Sequence, residues 1–167
     1  MSKHEVLYHE DFKAKQRSIV LLHGIFEPRF IEGLKTRLQE TFYIMEGRPS
    51  LQAAQINCRR LNKIGITPTL ICDNMAGFLF AKDLVKEVYI AYESSDEQGS
   101  YAAIGSLILA VLALRHQIPV KAVPMDPQPK VSAVAQDLAF FMGKRVAPKG
   151  VKTFVPTREF VSKKYYV

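Results

Sequence analysis

Cysteine is scarce in this chain, and its scarcity narrows the possibilities at once. The only two, Cys58 and Cys72, have neither the density of a secreted disulfide scaffold nor the pairing of a zinc site. A reducing, cytoplasmic setting is the natural expectation. The four histidines at positions 4, 9, 23 and 116 are scattered, so no metal site is expected. Long apolar runs are also missing. The longest, Tyr101 to Leu114, contains Gly105 and Ser106 and falls short of the ~20 residues of a membrane span. It reads better as a helix buried on most sides. Residues 1–17 are polar and charged, without the apolar core of a secretory leader. No Walker loop, GxGxxG turn or Ser/His/Asp order is present.

What is present is a chain of 167 residues, 48% apolar, long enough to bury one sizeable core. No repeat, low-complexity run or linker divides it. We therefore expect one domain over 1–167, with an N-terminal extension at 1–17 and a basic segment at 125–167 packed on it. The net charge of +7 is uneven. Residues 1–120 carry 14 basic and 13 acidic side chains, whereas residues 121–167 carry 9 and 3. No aromatic residues interleave with these lysines in a recognisable motif, which favours a solvated surface over a docking face for RNA or an acidic partner.

Strand and helix signals alternate from residue 18. Strands are expected at 18–23 (S-I-V-L-L-H), 41–45, 67–72, 86–92 and 118–123. Helices are expected at 28–39, at 49–64 with Pro49 in its first turn, from about Met75, and at 100–116. Such alternation predicts an α/β fold, a doubly wound, mostly parallel Rossmann-like sheet with helices on both faces. The tail is less regular. A helix fits 131–142, an edge strand fits 151–155, and 157–167 is ambiguous.

In open parallel sheets ligands bind beyond the carboxyl ends of the strands. The residues there are His23-Gly24, Glu46-Gly47-Arg48-Pro49, Asp73-Asn74 and Glu93-Ser94-Ser95-Asp96. Arg48 would stand at a helix amino end, where a cation costs ~0.3–1 kcal/mol unless an anion shares the site. Glu46 could be that anion, or a bound phosphate or carboxylate could. Asp73 and Asn74 both suit a helix cap, and capping accounts for only one of them. Cys72 fits a small apolar packing role. His23 ends a buried strand, where a single satisfied hydrogen bond explains it as well as chemistry does.

The same clusters carry a resemblance. The run E-G-R-P-S-L-Q at 46–52 is similar to the E-T-R-P-x-x-Q-G motif of methylthioribose-1-phosphate isomerase. That family also includes ribose-1,5-bisphosphate isomerase and the regulatory subunits of translation initiation factor 2B. The run G-I-T-P-T-L-I-C-D-N-M-A-G at 65–77 resembles the family's G-I-P-V-T-L-I-T-D-N-M-A-G, and I-G-S-L-I-L-A-V-L-A at 104–113 resembles its K-I-G-T-Y-x-L-A-V-L-A helix. The similarity covers about residues 18–124, the family's C-terminal α/β domain.

In the active isomerases a cysteine after the first strand and an aspartate after the fourth are the proposed proton-transfer pair. The resemblance places these positions on Gly24 and Glu93. Glycine has no proton to give, and Glu93 carries its carboxyl one methylene further out. The family's Asn-Lys pair before I-G-T is reduced to Ala103. Its glycine-rich stretch after the cysteine is largely absent, and only 17 residues precede the first strand where the isomerases have a helical domain. What persists is Arg48, Gln52, Asp73, Asn74 and His23. The resemblance therefore implies a non-catalytic member that binds a sugar phosphate or nucleotide through Arg48, Gln52, Asp73, Asn74, His23 and Glu93. It would act as a homodimeric assembly or regulatory module with no cofactor, metal or membrane. The alternative is an aldose–ketose isomerase using Glu93. A third reading is RNA or acidic-partner binding through the basic tail at Lys163 and Lys164.

Overall fold

A computed structural model describes residues 17–127, 138–141 and 143–167. The expected N-terminal extension, apart from Arg17, lies outside these residues, as does most of the helix expected at 131–142. The elements run β1 (Ile19–His23), α1 (Pro28–Gly33), β2 (Thr41–Met45), α2 (Gln52–Lys63), β3 (Thr69–Ile71), α3 (Ala76–Ala81) and β4 (Val85–Ser95). Then follow β5 (Gly99–Ala103), α4 (Ser106–His116), β6 (Val120–Pro124), β7 (Phe140–Phe141), β8 (Lys144–Arg145) and β9 (Arg158–Ser162).

Every residue of β1 is buried, as a continuous apolar strand between two layers requires. Its alternate side chains go to opposite layers. Val20 and Leu22 join Phe42, Ile44, Ile31 and Leu61 on the α1–α2 side. Ile19 and Leu21 join Tyr43, Met45, Leu79, Phe80 and Leu109 on the α3–α4 side. β3, β2, β1, β4 and β6 form a parallel array in that order. This is the expected doubly wound α/β sheet, and chain order reverses between β1 and β4.

Several boundaries differ from expectation. The helix expected at 28–39 tightens after Gly33 into a 3₁₀ turn over Leu34–Arg37. α2 starts only at Gln52, so Pro49 lies before it. The largest departure is at 100–116. Its first residues form β5, and the helix begins at Ser106. Nor is α4 buried on most sides, because Ile108 is 66% exposed and Leu114 59%. The edge strand expected at 151–155 is irregular, and the strand lies at β9 instead. Phe140 and Phe141, expected in a helix, pair with Arg145 and Lys144 as a two-stranded ladder.

β5 matters most for the site. Tyr92 pairs with Pro124 across one edge and with Ala102 across the other. A strand has only two edges, and the last pairing of β1 with β4 is His23 with Ile90. The antiparallel β5 therefore takes over the edge of β4 that β1 relinquishes, and β9 pairs outside it.

Where β1 ends, α2 holds the chain. Asn57 is fully buried; its Nδ2 donates to the Gly24 carbonyl at 2.7 Å, and its Oδ1 accepts from the Phe26 N–H at 3.3 Å. One turn on, Arg60 donates to the Phe26 carbonyl and to the buried Asp126 carboxylate, each at 2.5 Å. The Asp126 N–H returns to the Ile25 carbonyl at 3.1 Å. Asn57→Ala leaves two buried backbone groups unpaired. We expect a stability loss of roughly 2 kcal/mol or more in urea unfolding; a loss below about 0.5 kcal/mol contradicts the clamp.

Candidate functional site

The carboxyl ends of β1, β2 and β4 surround a cleft of about 540 Å³. His23 and Gly24 supply its floor after β1, Gly47 to Ser50 the wall after β2, and Ala91 and Glu93 the wall from β4. The chain around Ala103 and Ile104, together with Thr157 and Arg158, completes it. The first expected cluster and all of the second but Glu46 thus meet here, along with Glu93 from the fourth. Asp73 and Asn74 do not line the cleft, and neither does Gln52.

Gly24 has φ +91°, and a β-carbon there would lie 2.9 Å from the Ala91 Cβ. Both the backbone conformation and the space demand glycine. His23 is 2% exposed, and its Nε2 donates to the Ile104 carbonyl at 3.0 Å. Burial lowers its pKa, against the opposing pull of Asp73 and of Glu159. In the neutral ring Nδ1 is then an acceptor, and among the described residues it has no partner.

The acidic residues are largely spoken for. Asp73 accepts the Gly47 N–H at 3.0 Å and the Arg48 N–H at 2.7 Å, shaping the loop after β2. It is not a helix cap, nor is Asn74: α3 has no side-chain cap, and Asn74 is exposed. Both lie in the 3₁₀ turn Asp73–Met75, which turns Asp73 back toward the arginine loop. Glu159 Oε1 accepts the Gly105 N–H at 2.7 Å and the Leu107 N–H at 2.9 Å, placing an internal carboxylate on the amino end of α4. Glu93 stands where the β4–β5 register shifts, and its carboxylate accepts from Arg158 at 3.0 Å.

Arg48 is not at the amino end of α2, since Ser50 and a left-handed Leu51 intervene. Its guanidinium lies 5.2 Å from the centre of the Phe141 ring. The Gln52 Oε1, buried at the start of α2, lacks a partner among the described residues. Cys72 is exposed, not packed as expected. Burial, with Glu46 and Asp73 nearby, raises its pKa and disfavours the thiolate. Burial and Asp73 likewise raise the pKa of Glu46.

Arg158, Glu159 and Asn57 escaped the reading of the sequence. Arg158 meets Glu93 across 65 residues, a distance that no local pattern encodes. Glu159 offered one signal, as the lone acidic residue among seven basic ones in 138–167.

A model of the initiation factor 2 subunit family matches residues 29–165. Methylthioribose-1-phosphate isomerase of Thermus thermophilus is 33% identical over 135 residues, covering 74% of this chain and 41% of that protein. The enzyme of the same name from Desulforudis audaxviator is 37% identical over 123 residues, covering 66% and 35%. The structure of 5-methylthioribose 1-phosphate isomerase from Pyrococcus horikoshii OT3 aligns with a TM-score of 0.75 at 21% identity, over 90% of this chain and 49% of that one. Subunit delta of translation initiation factor eIF-2B from A. fulgidus aligns with a TM-score of 0.74 at 20% identity, over 91% and 51%. Structural likeness at that identity speaks to the fold. The chain spans about two-fifths of the length of the curated relatives it matches.

His23 generates a pH prediction. Its folded pKa is depressed, so the unfolded chain binds the proton more readily, and the stability this confers is present above an unfolded pKa of about 6.5 and lost as pH falls below it. The urea midpoint should drop between about pH 7 and pH 5.5, a window above the ordinary carboxylate range. His23→Gln, which keeps a donor for Ile104, should flatten that drop. An equal drop in the variant contradicts a neutral buried ring.

Proposed function

The chain belongs to the initiation factor 2 subunit family, and on that basis we propose that it binds a phosphorylated small metabolite without isomerising it, as an assembly or regulatory module. The observation that carries this reading is the content of the cleft. Two arginines, Arg48 and Arg158, line one cavity. The position that the resemblance matches to the family's cysteine is Gly24, with no room for a side chain. Guanidinium groups recognise phosphate through paired, charge-assisted hydrogen bonds. Glu93, at the position matched to the family's aspartate, holds Arg158 in place of a substrate proton.

Arg158 and Glu93 are both more than half exposed, so their pairing is weak enough for an anion to displace. Glu93 competes with that anion for Arg158. Self-association would use the outward side of α4, where Ile108, Val111 and Leu114 are exposed. A homodimer in sedimentation analysis, reduced to monomer by Ile108→Glu, supports this; a monomeric wild type counts against it.

Calorimetry with ribose 1,5-bisphosphate and methylthioribose 1-phosphate tests the binding proposal. We expect Arg48→Ala to abolish binding and Arg158→Ala to weaken it by roughly tenfold. Glu93→Gln should tighten it, because it releases Arg158. Unchanged binding in Arg48→Ala removes the site. Isomerase turnover that disappears in Glu93→Gln replaces this proposal with the enzymatic reading. Gly24→Cys should gain no activity and should lose at least about 1 kcal/mol of stability, since both its φ and its clearance from Ala91 oppose a side chain.

A further inference from the structure

Beyond the cleft, we propose that the C-terminal region forms a docking surface for single-stranded nucleic acid, with bases stacked on exposed phenylalanines and phosphates held by the surrounding cations. The fold supplies an interleaving of aromatic and basic residues that the sequence order does not show. In the β7–β8 ladder Phe140 stands opposite Arg145 and Phe141 opposite Lys144. The Arg145 guanidinium lies 4.7 Å from the centre of the Phe140 ring, and Arg48 backs Phe141. Phe154, 85% exposed, borders a shallow apolar recess that also reaches Arg48. A ring backed on one face by a guanidinium and open on the other is a stacking platform for a base.

Charge selects the partner. Residues 138–167 carry seven basic side chains and one acidic, and that one, Glu159, is turned inward onto α4. Lys144, Arg145, Lys149 and Lys152 are exposed, and among the described residues none has a carboxylate at ion-pair distance. A polyanion fits such a surface, and single strands alone among polyanions offer flat unpaired faces to the rings. An acidic protein would match the charge, but it lacks the regular run of flat faces that a single strand offers to successive rings.

Fluorescence anisotropy of the full chain with a labelled oligouridine of about 12 nucleotides tests the proposal. We expect saturable binding whose logarithm falls linearly with that of salt concentration, by about 0.7 per phosphate contacted. Phe154→Ala should weaken it at least about fivefold. The double variant Lys144→Ala, Arg145→Ala, which removes two cations, should lower the salt slope by about 1.4. All three side chains are exposed, so the variants should melt at the wild-type temperature. Absence of binding at low salt overturns the proposal. Equal affinity for a duplex of the same length, with Phe154→Ala without effect, reduces the surface to bare charge and overturns it too. Sedimentation with phosphatidylserine vesicles in the absence of oligouridine binding assigns the patch to a membrane and likewise overturns it.

Discussion

The close approach of Gly24 to Ala91 is the contact on which the rest of this molecule depends. β1 and β4 lie side by side until Ile90, and Gly24 then leaves the ladder at φ +91°, where a β-carbon would lie 2.9 Å from the Cβ of Ala91, the next residue of β4. Nothing larger than hydrogen fits. Because β1 leaves there, the edge of β4 is open to β5, and because β5 occupies it, Ile104 comes within hydrogen-bond reach of His23. The cleft is the space left where one strand departs and another, running the opposite way, takes its place.

That arrangement also distributes the charges. Carboxylates near the cleft satisfy the chain itself: Asp73 the loop carrying Arg48, Glu159 the amino end of α4, and Glu93 the guanidinium of Arg158. An internal anion at a helix amino end relieves the same unpaired N–H groups that a bound phosphate would. The electrostatic surplus is therefore positive at the rim, where the irregular C-terminal segment brings its cations beside exposed rings. At the other end of the sheet charge is used differently. Glu87, 5% exposed, accepts from both Arg37 and Lys121, and burial of one carboxylate is tolerable there because two cations share it.

Much of the architecture was legible in the residue order. Period-2 and period-3.6 patterns reflect burial of individual strands and helices, so β1, β2, α2 and the doubly wound layering could be read from apolar spacing. The hairpin at 85–103 could not. Ser100, Tyr101, Ala102 and Ala103 suit a helix start as well as a strand, and their choice was made by the vacant edge of β4. Nor could the ladder of Phe140 and Phe141, which is made by pairing with Arg145 and Lys144 in a separate two-stranded sheet. At the site, His23, Arg48 and Glu93 were findable because strand ends in a parallel sheet converge. Asp73 was found for the wrong role, since a side chain that could cap its own turn instead caps a neighbouring loop.

The sequence by itself therefore determined the layering, the convergence of the strand ends and the identity of the groups near them, because these follow from short-range hydrophobic periodicity and from topology. Only the tertiary structure decided which of those groups face the cleft and which are engaged elsewhere. It also brought Arg158 and Glu159 to the site and set phenylalanines beside arginines at its rim. The physical reason is range: periodicity acts over a few residues, whereas hydrogen bonds and ion pairs join whatever the packed backbone brings within about 3 Å.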